Sequence, residues 1–248
     1  MANIICFYQD VQHKIPQIEG FDYRNAVIKL LKTYKQFNKD DFTLITEYKT
    51  ATFGMELFDS YLVVDLPNNS LMENVCIANA HAVYENPGRY VMCGCDHLIN
   101  GDLDEMFDGT FDLGIMLVKG RVNNTVVLVD SDSHNHNSIE KFFHERVKIF
   151  EHLSAKMKRW GGDQMAIHKL LQQEGVLPEK KNNTRIYNWH GLKIKLFDYQ
   201  TNGIAGISKS GPAFDTTSVF VDFKGPKRKR YYDQVYTYIT LKGPRLTS

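Results

Sequence analysis

Asp96 follows the apolar run Tyr90–Cys95, a pattern that reads as a central buried strand delivering a carboxylate at its end. In an open parallel sheet, ligands bind beyond the carboxyl ends of the strands, so a polar residue there is the first to consider. A carboxylate in that position can hold a hard divalent cation while leaving coordination positions open to a diphosphate. The alternative is a simple turn cap. Cys93 and Cys95, with His97 close by, are metal-ligand types, but no second ligand pair accompanies them. Alternating cysteines on a buried strand are the other reading. Farther on, Lys224 to Arg230 places five basic residues in seven, either a counter-charge for an anion or a solvated basic loop. Solvation is the ordinary reading for Lys229 and Arg230.

The elements that must position these groups follow from periodicity. Asn3–Tyr8 reads as a buried first strand ending at the polar Gln9 and Asp10. Asp22 can cap a helix whose Ala26, Val27, Leu30, Leu31, Tyr34 and Phe37 make one apolar face. Phe42–Thr46 and Tyr61–Leu66 read as the next strands, and strand, helix, strand in this order argues for a parallel sheet flanked by helices. Ser70 and Glu73 form a capping box opening a helix that Asn86-Pro87-Gly88 stops. Asp102, with Glu105 three residues on, can cap a short helix over Leu103–Phe107. Asp112–Val118 and Thr125–Asp130 follow as strands. From Ser138 to about Arg159 the pattern is helical, with Phe143, Val147, Phe150, Leu153 and Met157 on one side. Trp160-Gly-Gly interrupts it before a second helix from Asp163 to about Glu174. The remainder is Gly-rich, aromatic and strand-like.

Composition excludes several classes. The 248 residues carry 30 Lys and Arg against 29 Asp and Glu, a net charge of +1, so this is neither a globally basic nucleic-acid coat nor an acidic solvating chain. With 43% apolar and 12% aromatic residues the chain can bury a sizeable core. No apolar run approaches the roughly 18 residues needed to cross a bilayer. The start MANIICFYQD lacks a signal peptide's basic region and cleavage site. Four cysteines in a chain this long make no disulfide scaffold. A cytoplasmic location is expected, as is one α/β domain over 1–248, with 176–248 as a C-terminal elaboration.

The stretch from Tyr90 to Phe107 resembles the metal-binding segment of GT-A glycosyltransferases, most of all glycosyltransferase family 8. In that family an apolar strand runs into Asp-x-Asp, then an apolar stretch, then Gly-Asp-Leu and a short helix ending in Leu-Phe. Anchoring on Gly101-Asp102-Leu103 places Asp96 on the second Asp and Gly94 on the first, which removes one carboxylate. Trp160-Gly-Gly-Asp163-Gln164 is similar to the Asp-Gln pair that opens a helix near the acceptor side. Asp163 could accept hydrogen bonds from sugar hydroxyls or take a proton from an attacking one, or cap the helix, or both. Val219-Phe-Val-Asp222-Phe-Lys224-Gly225-Pro-Lys227-Arg228 looks like the late His-x-x-Gly segment that closes over the donor diphosphate. Asp222 holds the place of the family's metal-binding His, Gly225 would admit phosphates close to the backbone, and Arg228 or Lys227 would neutralise the leaving group.

The resemblance implies a GT-A fold with a mostly parallel central sheet flanked by helices. It also implies transfer of a hexose or pentose from a nucleotide-diphosphate sugar to an acceptor hydroxyl. Mn²⁺ or Mg²⁺ would sit on Asp96 and Asp222. Donor-binding residues would be Phe7, Tyr8 and Gln9 at the nucleotide base and Asp96, Lys224, Gly225, Lys227 and Arg228 at the diphosphate. Asp163 and Gln164 would serve catalysis at the acceptor side. The acceptor is expected to be a saccharide or, as in viral enzymes that decorate modified bases in a host cytoplasm, DNA. His134-Asn-His-Asn137 and Tyr187-Asn-Trp-His190 could line the pocket or be loop and core. Two rivals remain. A nucleotidyltransferase needs a Gly-rich phosphate loop after the first strand, which Ile5–Asp10 lacks; a non-catalytic nucleotide-sugar-binding relative would tolerate Gly94.

Overall fold

The structure is a computed structural model and describes residues 2–10, 20–50, 54–66, 70–159, 161–176, 184–198, 203–223 and 225–242. The chain begins β1 (Asn3–Phe7), α1 (Tyr23–Phe37), β2 (Phe42–Thr46) and β3 (Ser60–Val63), followed by α2 (Leu71–Glu85) and β4 (Arg89–Gly94). Next come β5 (His97–Ile99), β6 (Leu113–Val118), β7 (Arg121–Asp130), α3 (His136–Glu151) and α4 (Gly162–Gln173). The last part holds β8 (Arg185–Trp189), β9 (Leu192–Asp198), β10 (Ile204–Gly206), β11 (Phe220–Asp222), α5 (Pro226–Lys229) and α6 (Tyr232–Lys242). Strand order in the main sheet is β3-β2-β1-β4-β7-β6-β9-β8. β3, β2, β1 and β4 pair in parallel, as do β6 and β9, while β7 runs antiparallel to β4 and β6. This is the α/β fold the sequence implies.

Period-two alternation along β1 divides the core. Ile5 and Phe7 face α2, α3 and α4, packing among Ala82, Phe142 and Ile167. Ile4, Cys6 and Tyr8 face α1, among Val27, Leu30 and Tyr34. Caps hold the helices where the sequence puts them. Asp22 accepts from the Asn25 N–H at 3.0 Å, and Ser70 accepts from the Glu73 N–H at 3.4 Å. The segment at Leu103–Met106 is a single 3-10 turn, with the Asp102 side chain accepting from the Asp104 N–H and its carbonyl from the Glu105 N–H.

Three expectations change. The helix expected to reach Arg159 ends at Glu151, and Met157 lies beyond it, exposed. A second sheet, β10-β11-β5, joins residues directly after Asp96 to the late Phe220–Asp222 segment, with His97 opposite Asp222 in antiparallel register. Residues 226–242, read as strand-like, are helical. Pro226 starts α5 at its first turn, and Tyr232, Val235 and Ile239, at helical spacing, bury one face of α6. That packing, against Leu98, Val221 and Phe223 and beside α1, outweighs the β propensity of Tyr, Thr and Ile.

Candidate functional site

The order β3-β2-β1-β4 reverses direction at β1, so the crevice beyond the ends of β1 and β4 is a topological switch point. Phe7 and Gly94 are paired there, which places Tyr8–Asp10 and Cys95–Asp96 side by side at its mouth. Phe7 is buried in the core. Tyr8 is buried too, and its hydroxyl donates to Asp10 Oδ1 at 2.8 Å, while Arg24 holds Asp10 Oδ2 at 2.6 Å. Gln9 is only partly buried; its Oε1 accepts from Asn74 Nδ2 of α2 at 3.0 Å. Cys93 and Cys95 are buried free thiols, so the alternating-strand reading holds for them.

Asp96 is brought into contact with the late segment. Lys229 Nζ lies 3.1 Å from Asp96 Oδ2; the lysine side chain is 6% exposed and the aspartate 22%. The same ammonium donates to the Tyr23 hydroxyl and lies 4.3 Å from the Tyr23 ring and 4.9 Å from the Phe21 ring. Burial, and then the Asp96 charge, push the Tyr23 phenol up, which keeps its hydroxyl neutral. Gly225, at φ 83°, takes a left-handed conformation that admits the tight entry into α5 and so aims Lys229 inward. The solvated-loop reading of Lys229 is therefore corrected: its ammonium lies inside the molecule, against Asp96 and Tyr23. Arg230 donates to the Lys209 carbonyl at 2.9 Å, and Arg228 donates through Nε to the Ile207 carbonyl. Lys227 is exposed. Lys224 lies outside the described residues.

His97 is wholly buried between the two carboxylates expected to share a metal. Its Nδ1 donates to the Gly94 carbonyl at 2.8 Å and lies 3.9 Å from Asp96 Oδ1, while Nε2 faces Asp222 Oδ1 at 3.4 Å. Burial works against the charged ring, yet Asp222, with Asp96 beyond, lifts its pKa to about 9. Asp222 is 1% exposed. A Cβ on Gly94 would meet Asp96 Oδ1 at 3.3 Å, so a side chain at 94 would press on the carboxylate it should assist. Among the described residues no cluster of three His, Cys, Asp or Glu groups suits a metal ion. With one Asp96 oxygen taken by an ammonium and Asp222 buried against the His97 ring, this donor set does not fit a divalent ion.

Asp163 lies elsewhere. Gly161, at φ 88°, is the N-cap of α4 and Asp163 sits one residue inside the helix, so Asp163 is not the cap. A Cβ on Gly162 would fall 2.7 Å from the Met157 carbonyl oxygen, so only glycine lets α4 start this close to the preceding chain. Asp163 is buried. Its Oδ2 accepts from Asn124 Nδ2 at 2.9 Å, with Arg146 NH2 at 3.8 Å. Gln164 beside it is half-buried. Among the described residues no hydrogen bond or ion pair links Asp163 to Asp96.

Neither Asn124 nor Arg146 was an expected site residue, though each left a mark in the sequence. Arg146 falls at helical spacing among Ile139, Phe142, Phe143 and Phe150, a charge on an apolar stripe. Asn123-Asn124 interrupts an apolar strand where the β6–β7 register shifts between Ile115 and Met116. Tyr187 packs at the edge of the main cluster and Trp189 is core. Asn135, not Ser138, is the N-cap of α3, and it donates to Asp112 Oδ1 at 3.0 Å.

No protein-family model matches the chain, and no curated protein matches it by sequence. Solved structures do share its fold. The glycosyltransferase GlyE of Streptococcus pneumoniae TIGR4 aligns with TM-score 0.55 at 11% identity over 98% of this chain, which spans 63% of GlyE. An active-site mutant of LgtC aligns with TM-score 0.55 at 10% identity over 97% of this chain and 96% of LgtC. The inositol-1-phosphate CTP transferase of T. maritima aligns with TM-score 0.51 at 9% identity over 97% of this chain and 96% of that one. The fold is thus the GT-A type. No described helix is long and apolar enough to cross a membrane.

Proposed function

We propose that this protein transfers a sugar from a nucleotide-diphosphate sugar to an acceptor hydroxyl, as a transferase similar to glycosyltransferase family 8. The observation that carries this is the meeting of Asp96 with the late Gly225–Lys229 segment at the switch point, beside Tyr8 and Gln9. In this reading Phe7, Tyr8 and Gln9 border the base, with Phe7 as the packed floor. Asp96, Gly225, Lys227 and Arg228, with Lys224 adjoining in sequence, border the diphosphate. Asp163 and Gln164 present amide and carboxylate oxygens to sugar hydroxyls.

The sugar C1–oxygen bond breaks with its electron pair passing to the phosphate oxygen. The acceptor oxygen bonds to C1, and in the retaining course expected of family 8 its proton passes to that departing phosphate oxygen. The Mn²⁺ or Mg²⁺ expected at Asp96 and Asp222 takes no part in this reading, since the donor set does not fit it. Fixed charges facing the oxygen where charge develops supply the stabilisation.

A nucleotidyltransferase shares the fold, but residues 10–19 contain no glycine for a phosphate-cradling loop. A saccharide acceptor is favoured over DNA, because Lys229, one of the two contacts a DNA acceptor would need, is buried too deep for a duplex backbone, and Arg230 is held by the Lys209 carbonyl. Nucleotide release from a panel of nucleotide sugars, with glycan and DNA acceptors, tests the reading. One donor should be turned over, and Asp96→Ala should lower the rate about 100-fold. Binding without release for every donor and acceptor would instead identify a nucleotide-sugar-binding relative.

A further inference from the structure

The donor reading above leaves open what meets the diphosphate, and this inference rests on it. We propose that the Lys229 ammonium takes the place of a divalent cation as the positive charge facing the donor diphosphate. Lys229 occupies the partner position on the one carboxylate that the strand end offers, 3.1 Å from Asp96 Oδ2. A divalent ion would have to displace it, and would find glycine at 94 and an already paired Asp222 in place of further ligands.

The lysine is built in rather than draped over the surface. Phe21 and Tyr23 enclose it, α5 ends on it, and only 6% of its side chain stays open while its neighbour Lys227 is exposed. An ammonium has three N–H groups. Among the described residues Asp96 and the Tyr23 hydroxyl take two, which leaves the third for a phosphate oxygen of the entering donor. As the C1–oxygen bond breaks, the electron pair left on the phosphate oxygen meets this fixed charge, and Lys229 keeps its proton throughout. A preorganised charge in a site that excludes water acts more strongly than the same charge in solvent.

The test uses the full chain. UDP and GDP binding is titrated, and release is followed from UDP-glucose, UDP-galactose and GDP-mannose, in excess EDTA or in Mn²⁺. Binding and release are expected to be the same in both. Lys229→Met should lower release about 100-fold, Lys229→Arg should keep most of it, and ethylammonium should restore part of the Lys229→Ala rate. A structural lysine would show no such rescue. If Lys229→Met fails to fold, the wild-type comparison still decides: binding or release that needs Mn²⁺ overturns the proposal and leaves the transferase reading standing. Metal-independent binding that Lys229→Arg retains, without turnover of any donor, supports the proposal and removes the transferase reading. No nucleotide binding at all overturns both.

Discussion

At the Asp96 end a carboxylate near solvent is met by a lysine ammonium at 3.1 Å, whereas at the Asp163 end a buried carboxylate lies beside an arginine whose nitrogens find no well-formed hydrogen bond among the described residues. The first pair is short and reaches the crevice. The second, at 3.8 Å, is sealed in by Phe143 and Phe150 on one apolar helix face. A buried ion pair with loose geometry gains little over its desolvation cost, so its presence points to positioning rather than stability. In the proposed transferase, the first end would receive charge and the second would orient a carboxylate and the half-buried Gln164 that follows it.

The sharpest way to break this comparison is to remove one partner of the buried pair. Arg146→Met leaves Asp163 buried without its cation and should cost about 3 kcal/mol in chemical denaturation, most of it regained in Arg146→Met with Asp163→Asn. A single variant as stable as wild type would mean the pair carries no coupling. Asp163→Ala comes next. Turnover should fall by about 100-fold while UDP affinity stays at the wild-type value, whereas Asp96→Ala should weaken UDP binding as well as turnover. Equal weakening of UDP binding by the two variants would erase the division of labour.

Gly162→Ala forces a methyl group against the Met157 carbonyl oxygen and the Phe150 ring. A thermal melt should register a loss of about 2 kcal/mol, with Gln164 displaced along with the helix start. The smallest effect belongs to a control away from both ends, the Asp108–Lys195 pair at 2.7 Å. Burial is the largest single influence and raises the Asp108 pKa, but the Lys195 ammonium and the Thr110 donors together outweigh it and hold the value down to about 2. Because the folded value is depressed, the contribution is present above the ordinary carboxylate range and is lost as pH falls through about 2. Asp108 is half exposed, so solvent screening keeps the contribution below about 1 kcal/mol. Asp108→Asn should flatten acid unfolding in that window and leave turnover untouched.

Local signals were the legible ones. The caps at Asp22 and Ser70, the apolar run of β1 and the strand running into Asp96 each act within a few residues, and each appears where expected. Lys229 was misjudged because its partners lie far away in sequence, and a basic run offers no local hint of which member turns inward. Asp163 was half legible. Its place at the start of α4 was clear, but a glycine able to adopt positive φ at 161 took the cap, which freed the carboxylate for Asn124. The helical form of Tyr232–Lys242 was hidden for another reason. Its residues favour strands, and burial of Tyr232, Val235 and Ile239 outweighs that preference.

The joining of Tyr23 to Lys229 spans 206 positions of sequence, and Tyr232 makes the same bridge farther on, its hydroxyl 3.0 Å from the Ala26 carbonyl and 2.9 Å from that of His97. Closing so long a loop costs entropy before any contact repays it, whereas β1, α1 and β2 need only near neighbours. The crevice can thus take shape before its positive charge arrives. In a refolding experiment, recovery of far-ultraviolet ellipticity should therefore precede recovery of UDP binding. Simultaneous recovery would show that the cleft and its charge assemble as one cooperative unit.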